Sequence, residues 1–259
     1  MSLTELQFQS WLASFFWPFL RVGAVFMSAP LFSSRQVPLR WRVLLAALLT
    51  LVLVPLIPPV PVIEVFGPQA IAVAVGELLI GLAMGAVLQM VFSAMVLAGQ
   101  VVANKMGLGF AQMVDPQNGI QVPVLSQYYL IVSTFLFMML NGHLLIIDLL
   151  AQSFQTLPVA GEGLGRAEFH AVVAWGSRMF SASLLVALPA VGALMLVNLS
   201  FGVIARAAPQ LHIFAIGFPI SILVGFAAVW LSLPNSLDVF TEVLDEAFLL
   251  LKEILAIRT

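Results

Sequence analysis

Few residues in this chain could do chemistry. Its 259 residues include three histidines (His143, His170 and His212), two lysines (Lys105 and Lys252) and no cysteine. The missing cysteine excludes disulfides, thiolate metal sites and thiol nucleophiles. His143 and Asp148 are five apart, hence on different faces of a helix, and do not form a metal pair. His170 and His212 have no acidic or histidine partner at the third or fourth position on. No phosphate-binding GK pair, HExxH or GxSxG occurs, and Gly107-Leu108-Gly109 does not continue into a dinucleotide-binding GxGxxG. What remains are ionisable groups set in apolar sequence: Glu77, Arg21, Arg178 and Asp148.

The surroundings of those groups decide what they can be. Apolar residues make up 62% of the chain, Asp, Glu, Lys and Arg together 8%, and mean hydropathy is +1.11. Twenty-two charges cannot cover a water-soluble globule of this size. A net charge of -2 offers no basic face to nucleic acid. What remains is an integral membrane protein or a subunit buried inside an apolar assembly, and the stretches below make it all-α. Six stretches are long enough to cross a bilayer, at residues 11–32, 43–63, 70–103, 128–150, 171–205 and 211–233. The first holds Pro18, Arg21 and Pro30 and is expected to be broken or kinked. The second runs out in Pro55, Pro58, Pro59 and Pro61. The third and fifth are long, and either could be two short helices. The polar start, Met1 to Gln9, lacks the basic region of a cleaved leader. Residues 152–170, with Pro158, Gly161, Gly163 and Gly165, are the best boundary between halves.

Glu77 shares a helical face with Gly81 and Gly85, a GxxxG pair that lets two helices approach closely. A carboxylate facing lipid costs about 2.5–3.5 kcal/mol, so this one should face protein or water. It reads either as a proton or ion relay or as a satisfied contact inside a helix bundle. The scattered acidic residues favour the contact. Arg21 and Arg178 are expected to act as structural glue, pairing with Glu77 or Asp148 or capping a carbonyl end.

The stretch Met106-Gly107-Leu108-Gly109-Phe110-Ala111-Gln112-Met113-Val114-Asp115-Pro116, continuing past Gly119 to Pro123, is too rich in Gly and Pro for one helix, yet Asp115 is its only charge. Irregular backbone at membrane depth is tolerated where protein buries it or a water cavity satisfies it. The stretch is either a flexible apolar pore seal or an ordinary packed connector. After it, the tail carries an apolar stripe at Leu237, Phe240, Leu244, Phe248, Leu251 and Leu255, with acids early and bases late. That amphipathic helix is expected on a membrane surface or on a partner.

The run Gly107 to Pro116, then Asn141-Gly142-His143, then Ala207-Ala208-Pro209-Gln210-Leu211 and Ile216-Gly217-Phe218-Pro219, resembles the FliR/SctT family of type III secretion export-gate subunits. The likeness extends over essentially the whole chain. It implies a non-enzymatic inner-membrane subunit of the flagellar basal body, without cofactor or metal. FliP and FliQ homologues would join it in a hetero-oligomeric gate, with an FlhB homologue associated and unfolded flagellar proteins as cargo. It further implies a FliP-like part at 1–165 and a FliQ-like part at 166–259. The loop at 106–123 would plug the closed pore beside a methionine ring supplied by FliP. A virulence-injectisome subunit is the alternative branch. A secondary transporter with an ion site at Glu77 is the alternative from another class.

Overall fold

The structure, a computed structural model, describes residues 3–32, 37–61, 63, 67–108, 123–161, 163–207 and 213–257, with side chains from residue 11 onward except those of 213–216. Among these residues every regular element is helical. The elements are α1 (Leu3–Ser28), α2 (Leu39–Leu53, extended by a 3₁₀ turn at Val54–Leu56), α3 (Pro68–Lys105), α4 (Val124–Met139), α5 (Gly142–Thr156), α6 (Arg166–Ala207), α7 (Ile213–Leu231) and α8 (Leu233–Ile254).

Proline and glycine act here more as punctuation than as breaks. Pro68 opens α3, where its missing N–H would be unpaired anyway. Pro30 follows the end of α1, and Pro55 sits in the tight turn that finishes α2. Pro18, Pro189 and Pro219 lie inside continuous helices. The expected break in the first segment is therefore absent: α1 runs unbroken from Leu3 to Ser28. Neither long segment divides either. α3 is one helix of 38 residues and α6 one of 42. At 1.5 Å per residue they measure about 57 and 63 Å, roughly twice the ~30 Å of bilayer hydrocarbon.

The fourth segment does divide. α4 and α5 are a pair divided at Leu140 and Asn141. Asn141 makes the corner with φ 56°, a left-handed conformation that asparagine tolerates. Its N–H donates to the Met138 carbonyl at 3.1 Å, and its own carbonyl accepts the Leu144 and Leu145 amides at 2.9 and 3.1 Å. α7 and α8 form a second bent pair, at 55°. Four helical stretches are long and apolar enough to cross a membrane alone, or up to six if each bent pair counts as one span.

The described residues fall into two compact units, each discontinuous in sequence. The first comprises residues 1–90, 138–176 and 245–259. Its core is built on Trp17, Arg21, Val25, Met84, Leu150 and Phe154, all buried. Gly81 and Gly85 bring α3 onto α1: a Cβ at Gly81 would strike Arg21 O and lie 2.7 Å from Ala24 Cβ, and one at Gly85 would strike the Ser28 hydroxyl. The second unit comprises residues 91–137 and 177–244. Phe92 stacks edge-on against Phe137 and Phe240, at 5.5 and 5.7 Å between centroids. Gly99 admits the start of α4, whose Ser126 Cα would lie 2.6 Å from an added Cβ, and the Ser126 hydroxyl donates to Val96 O at 2.8 Å.

The tail corrects an expectation. Phe240, Leu244, Phe248, Leu251 and Leu255 are buried within the chain itself, so most of the α8 stripe is core and not a surface for membrane or partner. Sequence periodicity identifies an apolar face but not what covers it.

α8 ends in a turn with Ala256 in the left-handed region at φ 51°. Ile257 N–H reaches Lys252 O at 2.9 Å and Ala256 N–H reaches Glu253 O at 3.0 Å, the paired bonds of a Schellman motif. Glycine fits that position better than alanine. Ala256→Gly should raise stability by about 0.5–1 kcal/mol. The check is the thermal unfolding midpoint of the purified protein; a lowered midpoint would contradict the assignment of this cap.

Candidate functional site

Arg21 and Glu77 meet inside the first unit, brought together by the α1–α3 contact that Gly81 and Gly85 permit. Neither is accessible to solvent beyond 3%. Arg21 Nε donates to Glu77 Oε2 at 2.8 Å and Nη2 donates to Oε1 at 3.1 Å, a two-toothed pairing of planar groups. The other N–H groups turn to the end of α5. Nη1 donates to the Ser153 carbonyl at 2.9 Å and to its hydroxyl oxygen at 3.0 Å, and Nη2 to Leu157 O at 2.8 Å. The Ser153 hydroxyl in turn donates to Leu150 O at 2.7 Å. The Phe154 ring covers the guanidinium, 4.3 Å from Cζ to centroid.

All five guanidinium donors are thus used, and both carboxylate oxygens are engaged. This arrangement joins three helices. It also gives a donor to the Leu157 carbonyl just past α5 and a second one to the Ser153 carbonyl, which already accepts the Leu157 N–H at 2.9 Å. It has little capacity for chemistry. An arginine keeps its proton under all physiological conditions, so a carboxylate forked to one is poorly suited to loading and releasing a proton or metal ion. The geometry is that of a structural node.

The other two ionic candidates lie elsewhere. Arg178 pairs with Glu242 of α8 at 2.9 Å, a contact in the second unit with side chains 25% and 61% exposed. Asp148, expected among the buried polar contacts, is exposed and accepts a hydrogen bond from Gln152 at 2.8 Å. α5 buries Ile146, Leu149, Leu150 and Ser153, and Asp148 lies off that face. Neither Arg178 nor Asp148 touches Glu77. Ser153, Leu157 and Phe154 were not visible as partners in the sequence, because nothing local ties them to Arg21, 132 or more residues away. Among the described residues no group of three or more His, Asp or Glu side chains converges on a common point.

The loop root belongs to the second unit. α3 closes with a Schellman turn: Leu108 N–H reaches Ala103 O at 3.0 Å and Gly107 N–H reaches Asn104 O at 3.2 Å. Gly107 takes φ 83°, which explains glycine there. Met106 is buried, and Gly107 and Leu108 are half-buried. Pro123, where the chain re-enters the described structure, is buried and immediately precedes α4. Gly109, Phe110, Ala111, Gln112, Met113, Val114, Asp115, Pro116 and Gly119 lie outside the described residues, as does the run 208–212.

Removing one member of a buried pair leaves the other uncompensated, at a cost of about 3–5 kcal/mol. Arg21→Met should therefore reduce the membrane-inserted level of the chain severely. Arg21→Lys should not restore it, since an ammonium cannot supply the fork and the two carbonyl caps together. Glu77→Leu added to Arg21→Met should recover part of the loss. Quantifying the chain in membrane fractions by immunoblot checks this; a wild-type level of the Arg21→Met chain would contradict the node's role.

Comparison with known proteins gives the family. Residues 12–247 match the family described as bacterial export proteins, family 1. The chain is similar to the flagellar biosynthetic protein FliR of Escherichia coli (strain K12), 39% identical over 258 residues, covering 99% of this chain and 98% of the relative. It is also similar to FliR of Pectobacterium carotovorum subsp. carotovorum, at 35% over 246 residues (95% and 94% of the two chains). FliR of Bacillus subtilis (strain 168) matches at 32% over 211 residues (80% and 81%). The chain belongs to the FliR family of bacterial export proteins and is a non-enzymatic, inner-membrane component of the flagellar type III export apparatus.

Proposed function

We propose that this chain helps to form and close the pore through which unfolded flagellar proteins pass, in a hetero-oligomeric gate with FliP and FliQ homologues and an FlhB homologue. In this reading residues 1–165 form the FliP-like part and residues 166–259 the FliQ-like part. The segment from Met106 to Pro123 seals the closed pore.

The observation that carries the proposal is the way α3 ends. The Schellman turn at Gly107 stops a 38-residue helix and releases a stretch whose only charge is Asp115. Phe110 and Met113 give it bulk without charge, which suits a dry constriction that excludes water and yields to a passing chain. Helix length supports the gate reading as well. α3 and α6 are each about twice the hydrocarbon thickness, so part of each must lie outside the bilayer or against other protein. Many large apolar side chains are exposed on α2 and α6, among them Leu44, Leu48, Val52, Leu184, Leu188 and Leu199. Faces of that kind need lipid or partner helices. The transporter alternative loses its ion site, because Glu77 is committed to Arg21. The relatives named above carry flagellar names, which favours the flagellar branch over the injectisome one.

Two outcomes test this. Co-expression with FliP and FliQ homologues should convert an aggregation-prone chain into a stable detergent-soluble complex; a long-lived monodisperse monomer would contradict the assembly. In the intact complex, replacing Phe110 and Met113 by alanine should let ions leak through the closed gate. Membrane permeability of cells expressing the assembled variant measures it. A variant as tight as wild type would remove the seal from this loop.

A further inference from the structure

The root of the loop is locked to α7 by a size match. Gly225 leaves a notch on α7, and the Met106 side chain fills it. A Cβ at Gly225 would lie 2.5 Å from Met106 Cγ and 2.7 Å from both Sδ and Cε. Met106 is 1% exposed, so it is fully committed to this contact. Two turns earlier on the same helix face, Phe218 lies against Gly107, where a Cβ would stand 3.2 Å from Cδ2 of the ring. Gly107 is also the left-handed residue of the turn that ends α3. One face of α7 therefore holds two consecutive residues at the point where the chain leaves α3. All of these residues belong to the second unit.

We infer that Gly225 is a positioning residue: its notch seats Met106 and so fixes where, and in which direction, the segment after Gly107 departs. Met106 is then an anchor and not part of the yielding seal. The inference deepens the pore-seal reading and rests on it for its functional consequence. The packing logic is specific. Methionine is long and flexible and fills irregular gaps, but its Cγ is close to its own backbone. A methyl group added at Gly225 collides with that near end as well as with the thioether. Relief requires Met106 to swing out, and the turn at Gly107 must follow.

The test uses the assembled complex with one reporter. The chain has no cysteine, so Leu108→Cys places a single thiol at the half-buried root of the loop, one residue past Gly107. Its maleimide labelling rate is measured on this chain within the purified complex. Gly225→Ala should raise that rate about tenfold. Met106→Ala added to Gly225→Ala should return it toward the wild-type rate, because the smaller side chain fits the filled notch. If Gly225→Ala fails to assemble, Met106→Ala alone should raise labelling by emptying the notch, while Met106→Leu should not. An assembled Gly225→Ala complex that labels at the wild-type rate overturns the anchor, and so does failure of Met106→Ala to reverse the effect. The Phe110/Met113 permeability measurement separates the two readings. Labelling that responds while the gate never leaks keeps the anchor and removes the seal. A leaking gate with unresponsive labelling keeps the seal and removes the anchor.

Discussion

A guanidinium buried in an apolar helix bundle must have every N–H accounted for, and Arg21 is solved that way. Its side chain is fully buried, forked to Glu77 and bonded to two carbonyls and a hydroxyl at the end of α5. Water offers no substitute at this depth, so an unmet donor would cost the full desolvation penalty. Three helices separated by more than 50 and more than 130 residues in sequence must therefore meet in one register. The GxxxG face of α3 makes the meeting possible, because side chains at Gly81 or Gly85 would hold α1 away from Glu77. Burial of the pair is weak as a source of stability and strong as a determinant of arrangement.

Small residues set the second unit in the same manner but without charge. Gly99 admits the α4 backbone, and Gly225 admits Met106. Hydrophobic burial cannot distinguish one apolar arrangement from another where lipid is as apolar as leucine. Close approach at glycine and back-bonded serine hydroxyls supply the discrimination instead. In the proposed gate this chain gives the cargo a wall whose helices hold their positions.

Much of this was legible in the sequence, and the failures have physical causes. Low charge content pointed to a membrane protein or a subunit buried in an apolar assembly, and the length of the apolar stretches pointed to helices. Glu77, Gly81 and Gly85 pointed to a close helix contact because i, i+4, i+8 spacing is local geometry. The third stretch was read to end at residue 103, two residues before α3 does, and Gly107 was not identified as its cap. The partners of Arg21 were not readable, since Ser153 and Leu157 lie far along the chain and their carbonyls have no sequence signature. The corner at Asn141 was hidden inside an apolar run, although Asn-Gly is a turn signal that hydropathy outweighed. The α8 stripe was legible as a stripe; that its own chain covers it was not. Asp148 was misplaced because burial of a helix face depends on its neighbours and not on its composition. Residues 109–122, proposed as the seal, lie outside the described residues.

The most direct test is a cryo-EM reconstruction of the proposed closed gate, prepared from this chain co-expressed with FliP and FliQ homologues. The account predicts residues 109–122 across the central pore, with Phe110 and Met113 at its axis and Met106 seated on Gly225. Density placing that segment on the outer wall, with the pore closed by other chains, would contradict it.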